Sequence, residues 1–286
     1  MGKRDTGRGV GYTKHLDETL RAGVYETHIP NIAFLYETPT TTQNPDYAVG
    51  DRVCLPDGRV FRYGRCANIC RNTMQGLKFY GQEGDGVAYK APSQTQAIGD
   101  ESITMDAGDE GDVDLDELRG GYIIVHTHTD YADFTRGIVG NTAADSDGYV
   151  TVYLDAPLHI AIKTTYGLET CPNPYKFLSY RSSATGSGPG GDAYSSVAGI
   201  PLRKTTAANQ FVWIQTWGPC WINPQGAVGY TPATDRREMK FTREGSIQKN
   251  DANAQTTSSM QTAGFLMTAE DASATSPPLM YLQISP

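Results

Sequence analysis

Residues 50–63 read GDRVCLPDGRVFRY, and this stretch decides the fold of the chain. Two short runs rich in valine and aromatic residues, 53–55 and 60–63, flank the triplet Pro56-Asp57-Gly58. Proline presets φ at the first turn position, aspartate accepts from nearby backbone amides, and glycine takes a left-handed position. Such a triplet between β-favouring runs specifies a tight antiparallel hairpin.

The same grammar continues on both sides of the inserted turns. Residues 102–105, 122–128, 136–140, 149–154 and 159–164 read as strands, each bounded by Gly, Pro, Asn or Asp. In DGYVTVYLDAPLHIAI, Val150, Val152 and Leu154 alternate up to a break at Pro157, and Ile160 and Ile162 follow. That pattern predicts antiparallel pairing across the break. QFVWIQTWGPCWI, GAVGY, AGFLMTA and PLMYLQI carry strand character almost to Pro286. Helical spacing is confined to the start, where Thr13 is placed to cap a helix to Val24 with Leu16, Leu20 and Val24 on one face. The predicted class is all-β, with antiparallel β-sandwich or β-barrel units and an extended N-terminal arm.

Composition shifts divide the chain. Residues 1–45 form the arm, which starts basic and glycine-rich (MGKRDTGRGVGYTKH) and ends in a Pro/Thr-rich linker. Residues 46–165 form a first β-rich domain and 201–286 a second β-rich part, either separate or sharing one core with the first. Between them, 166–200 read as exposed loop, with SSATGSGPGGDAYSS low in apolar residues.

A net charge of -8 argues against direct nucleic-acid binding, which calls for a basic face. No apolar run approaches the roughly twenty residues of a membrane-spanning helix, and no secretory apolar region follows the basic start. Synthesis in a reducing cytosol follows as the expectation. Cys54, Cys66, Cys70, Cys171 and Cys220 are sparse and odd in number, which predicts free thiols.

Three groups carry candidate chemistry. His126-Thr127-His128-Thr129-Asp130 resembles the H-x-H-x-D zinc motif of the metallo-β-lactamase-like hydrolases, where imidazole and carboxylate ligands hold a metal that acidifies water. Position 131 is Tyr rather than another His, and His159 is the one downstream histidine. Period two alone places His126, His128 and Asp130 on one strand face. The second group is acidic: Asp106, Asp109, Glu110, Asp112, Asp114, Asp116 and Glu117. Clustered carboxylates suit calcium, but the glycine and flanking helices of a calcium loop are missing, and a solvated loop is the simpler reading. The third is Trp213, Trp217 and Trp221, a set suited to a subunit interface, a core, or stacking on sugar rings. Trp213 and Trp217 share a strand face by period two, with a bend expected at Gly218-Pro219. No phosphate-binding loop or dinucleotide fingerprint occurs, so no cofactor is expected.

The order GDRVCLPDGRVFRYGRCAN, GDESITM, ELRGGYIIVH, GIVGN, VTVYLDAPLHIAI, NPY and SSVAGIPLRKTTAANQFVWIQTWGPCWI resembles tailed-phage and environmental viral structural proteins, in particular capsid decoration (cement) proteins. The resemblance spans about residues 48–286 and implies a non-enzymatic virion protein on the capsid surface. It further implies a homotrimer whose partner is the major capsid protein, with no direct nucleic-acid or membrane contact. The alternatives are a carbohydrate-binding or tail-associated virion module and a zinc-dependent hydrolase.

Overall fold

A computed structural model describes residues 13–14, 32–70, 72–79, 90–107, 113–127, 132–179, 196–225, 228, 237–242, 244–249, 261–268 and 277–286. The fold is all-β; among the described residues the helical element is a 3-10 turn, Ala33–Tyr36. The chain forms two compact units. The larger holds Thr13–Gly81 and Tyr175–Pro286, and the smaller, Gln82–Pro174, is inserted between those two segments.

The larger unit opens with β1 (Thr13–Lys14), β2 (Arg52–Cys54), β3 (Val60–Cys66) and β4 (Leu77–Phe79). β2 and β3 are the expected hairpin, with Val53 opposite Phe61 and Cys54 opposite Val60. Its turn works as the triplet dictates. Gly58 has φ +84° and donates its N–H to Leu55 O at 3.0 Å, while Asp57 Oδ1 accepts from Arg59 N at 3.0 Å.

The smaller unit follows with β5 (Ser102–Asp106), β6 (Tyr122–His126), β7 (Phe134–Asn141), β8 (Tyr149–Leu154) and β9 (Gly167–Cys171), ordered β5-β8-β7-β6-β9. The sheet closes into a barrel, and residues 90–96 serve both of its end strands. Lys90 exchanges backbone hydrogen bonds with Leu168 of β9, and Ser93 N donates to Thr104 O of β5 at 3.1 Å. Ile103, Met105, Val125, Ile138, Val152 and Leu168 fill the interior, all inaccessible to solvent. Along β5, β6 and β8 the buried residues alternate with more accessible ones, which is why the sheet closes on this face.

The chain then re-enters the larger unit with β10 (Leu178–Ser179), β11 (Val197–Pro201), β12 (Gln210–Trp221), β13 (Glu238–Phe241), β14 (Ile247–Lys249), β15 (Thr262–Leu266) and β16 (Leu279–Gln283). β12 organises this sheet: it pairs antiparallel with β3, β11 and β16. Three buried clusters line the sheet, one around Val212 and Ile214, one around Met239, Met280 and Leu282, and one around Phe61, Tyr63 and Trp213.

Several expectations are corrected. The divisions at 45/46 and 165/166 differ from the observed units, because β3 pairs with β12 from Gln210↔Cys66 to Trp217↔Val60 and so joins 60–66 to the C-terminal part. Residues 32–45 are part of the body rather than a free arm: Leu35 is 1% exposed and packs with Val53, Phe61 and Trp213. Thr13 lies in β1, paired in parallel with Arg52, rather than capping a helix; residues 15–24 lie outside the described residues. Residues 159–164 hold an isolated bridge, Ile162 to Gln96, not a strand, and β8 pairs with β5 and β7 instead of across Pro157. The 166–200 span contains β9, β10 and the start of β11; its Gly/Ser-rich part, 180–195, lies outside the described residues.

Candidate functional site

β12 carries all three tryptophans, and one irregularity separates them. Gln215 lies opposite Phe61 but Trp217 lies opposite Val60, so β12 holds an extra residue there. That residue is a β-bulge, which reverses the facing of everything after it. Trp213 pairs with Tyr63 and Trp217 with Val60. Tyr63 and Val60 are three residues apart on β3, hence on opposite faces, and so are Trp213 and Trp217. The expected shared face is therefore absent. The bulge is anchored by Thr216, whose Oγ1 donates to Ser285 O at 2.7 Å and whose carbonyl accepts from Ile284 N and Ser285 N.

Beyond the bulge β12 runs on through Gly218-Pro219 without the expected bend, in register with β16 from Trp217↔Gln283 to Trp221↔Leu279. Gly218 takes φ +91°, where a side chain would also press on Arg59, and this lets the strand continue. Trp217, Pro219 and Trp221 then share one face. Pro219 lies opposite Tyr281, which lies opposite Phe265 on β15. The Phe265 and Tyr281 rings stack at 5.4 Å with 4° between planes. Trp217 meets Tyr281 edge-on at 5.9 Å and donates its Nε1–H to Tyr281 Oη at 3.0 Å.

The opposite face of the same three strands holds Cys220, Met280, Leu282 and Leu266, all buried. One side of this sheet region is thus core, and the other is an aromatic strip open to solvent, with Trp221 55% and Phe265 40% exposed. Sequence reading singled out Trp217 and Trp221 but missed Tyr281 and Phe265. The signal for Tyr281 lay in LMYLQ, where it alternates with buried Met280 and Leu282; nothing local marked Phe265.

Trp213 sits apart, 3% exposed, among Phe34, Tyr47, Tyr63 and Phe211. Its ring lies 5.1 Å from Tyr63 and 5.2 Å from Tyr47. Burial raises the Tyr63 phenol above its ordinary value of 10.0, and the Glu37 carboxylate adds to this, so it stays protonated at neutral pH.

Of the histidine motif, the structure describes His126 and Thr127. His126 ends β6 with Nδ1 3.9 Å from Asp133 Oδ2 and Nε2 3.6 Å from Glu169 Oε2. Asp133 Oδ1 is already engaged, accepting from Thr127 N at 2.7 Å and Thr127 Oγ1 at 2.9 Å. His128 and Asp130 lie outside the described residues. His159 is held by Arg136 Nη2 at 2.9 Å and by the edge of Phe134 at 4.6 Å, a cationic setting unsuited to a metal ligand. Among the described residues no group of three or more His, Cys, Asp or Glu side chains converges to hold a metal ion.

Within the acidic stretch, Asp109, Glu110 and Asp112 lie outside the described residues. Glu117 Oε2 accepts from Asp114 N at 2.9 Å, and Asp116 Oδ1 accepts from Asn141 N at 3.3 Å. These carboxylates shape the turns before β6. All five cysteines are free thiols. Burial pushes the Cys70 thiol up to about 11 and Cys220 to about 12, and raises Cys66 further still. None of these three is poised as a nucleophile.

Comparison of the chain with family models, curated proteins and solved structures found no match.

Proposed function

We propose that this chain is a non-enzymatic virion structural protein, a capsid decoration (cement) protein that attaches to the outside of a viral shell through its aromatic strip. The observation that carries the reading is the strip itself: Trp217, Pro219, Trp221, Tyr281 and Phe265 aligned on one face, with the opposite face packed as core. Rigid aromatic side chains that leave water on docking contribute about 1.5–3 kcal/mol each when fully buried, and they dominate protein interfaces. The Trp217 hydrogen bond and the Phe265–Tyr281 stack hold the rings in place before any partner arrives, which lowers the entropy lost on binding.

The resemblance read from the sequence supports the same conclusion and supplies the partners: the major capsid protein and further copies of this chain as a homotrimer. Attachment stabilises the shell by mass action, because the decorated lattice is favoured over the bare one. The tail-associated reading differs in copy number.

Quantitative mass spectrometry of purified particles tests this. The expected result is a copy number comparable with the major capsid protein, reduced about tenfold or more by Trp221→Ser. A few copies per particle would place the chain at a tail or vertex. Absence from particles would overturn the proposal.

A further inference from the structure

The hairpin of β2 and β3 sets two arginines against each other. Arg52 lies directly opposite Arg62, so both side chains leave the same face of the sheet. Like charges placed this way destabilise a sheet unless something neutralises them. Neither Arg52 nor Arg62 forms an ion pair with a described residue, whereas Arg59 on the same hairpin holds Asp57 Oδ2 at 2.7 Å. Asp51, beside Arg52 in the chain, turns its Oδ2 to Ala48 N at 2.9 Å.

The donors of the pair are unevenly used. Arg62 is fixed in place: Nη1 donates to Gly50 O at 3.2 Å, Nη2 donates to Ser285 Oγ at 3.4 Å, and the guanidinium lies 5.2 Å over the Tyr175 ring. Each of those Nη atoms has a second N–H beyond the one it uses, and Arg62 is half-buried. Arg52 donates to no described residue. Its Nε and that of Arg62 are shut off from solvent, out of any ligand's reach. The two Nη atoms of Arg52 also lack an acceptor but are not buried, so a group from outside the chain can reach them.

The ligand class follows from charge and geometry. Two guanidinium ions on adjacent strands present two positive charges and planar forks of N–H groups. A carboxylate brings one negative charge and two oxygens, enough for one fork. A phosphodiester also brings one charge, which sets a nucleic-acid backbone aside. A phosphate monoester brings a charge of about −1.5 to −2 at neutral pH and three acceptor oxygens, enough to engage both forks, and inorganic phosphate is equally suited.

We propose that Arg52 and Arg62 form a binding site for a phosphate dianion, free or as a monoester. Arg52 grips it through both Nη atoms, and Arg62 adds the N–H groups not held by Gly50 and Ser285. The pair stands two residues along β3 from Val60, whose partner Trp217 begins the aromatic strip. The anion site therefore borders the strip without using its rings, and it operates in the free chain, whatever that strip attaches to.

The test titrates the full chain at constant ionic strength with inorganic phosphate, methyl phosphate and acetate, each to about 50 mM, followed by amide NMR spectra. Phosphate held by two arginines is expected to bind with a Kd on the order of 1 mM and to raise the Tm of the chain at saturation. Arg52→Gln removes a side chain that bonds no described residue; it is expected to weaken phosphate about tenfold or more and to lose the Tm shift. Arg52→Lys keeps the charge but not the fork, and is expected to weaken it about threefold or more. Arg65→Gln, three residues along β3 from Arg62 and so on the other face, should bind as the parent does. Tighter binding of methyl phosphate than of inorganic phosphate would support the site as one for monoesters, and the reverse order would support it as one for the free ion. The proposal is overturned if neither phosphate gives saturable binding, if a folded Arg52→Gln binds like the parent, or if acetate binds as tightly as phosphate.

Discussion

Asn141, inaccessible to solvent on β7, is a hub of the smaller unit, and its removal has a calculable effect. Its Oδ1 accepts from the buried Leu118 N at 2.8 Å, and its Nδ2 donates to Asp114 O at 2.9 Å and Thr142 O at 2.7 Å. In Asn141→Ala the Leu118 amide loses its acceptor where water cannot replace it, at a cost of about 1–3 kcal/mol. Asp114 O still accepts from Glu117 N at 3.1 Å, so that carbonyl stays met; the Thr142 carbonyl adds about 1 kcal/mol. The expected loss is therefore about 2–4 kcal/mol. Asn141→Asp keeps the acceptor for Leu118 but turns a carboxylate oxygen toward two carbonyls. Its ionised form is disfavoured in the folded state, so its pKa rises on folding. The folded state then binds the extra proton, and this variant regains stability as pH falls from about 8 to about 5. All three tryptophans belong to the larger unit, so a probe spread over the whole backbone is used. Urea unfolding followed by far-UV circular dichroism, with hydrogen exchange of the Leu118 amide, reads it directly. A loss below about 1 kcal/mol with Leu118 as protected as before would refute the reasoning.

Three further changes follow from single observations. Gln96 has both side-chain polar atoms buried with no partner among the described residues, so Gln96→Met should raise stability by about 1–2 kcal/mol in urea; a drop would show that the amide is engaged. Gly264 has φ +134°, and a Cβ there would overlap the Tyr281 carbonyl oxygen, so Gly264→Ala should lose about 3 kcal/mol or more by thermal unfolding; a neutral outcome would mean the β13–β15 bulge can relax. The Cys220 thiol is raised from 9.0 to about 12, so the folded state keeps a proton that the unfolded chain releases. Its contribution is full below about pH 9 and falls by up to about 1.4 kcal/mol per pH unit above it, a slope that Cys220→Ala should remove from urea titrations between about pH 8 and 11.

What could be read without the structure is local in character. The 50–63 hairpin was legible because proline, aspartate and glycine each fix a backbone angle within three residues of one another. The same holds for β8 and β16, where alternation in YVTVYL and LMYLQ reports one buried face. Pairing partners were not legible. Period two says which side chains share a face but not which strand lies alongside, so the union of β3 with β12 across an inserted barrel was invisible. The candidate sites turned on the same limit. One extra residue in β12, held by the contacts of Thr216 with the C-terminal residues, sends Trp213 into a buried cluster and Trp217 onto the opposite face. The strip exists because β15 and β16 bring Phe265 and Tyr281 beside Trp217. The sequence by itself determined the element type, since backbone angles and alternation are set by near neighbours. Only the tertiary structure decided which rings meet, because strand register and a single bulge are settled by hydrogen bonds between residues far apart in the chain.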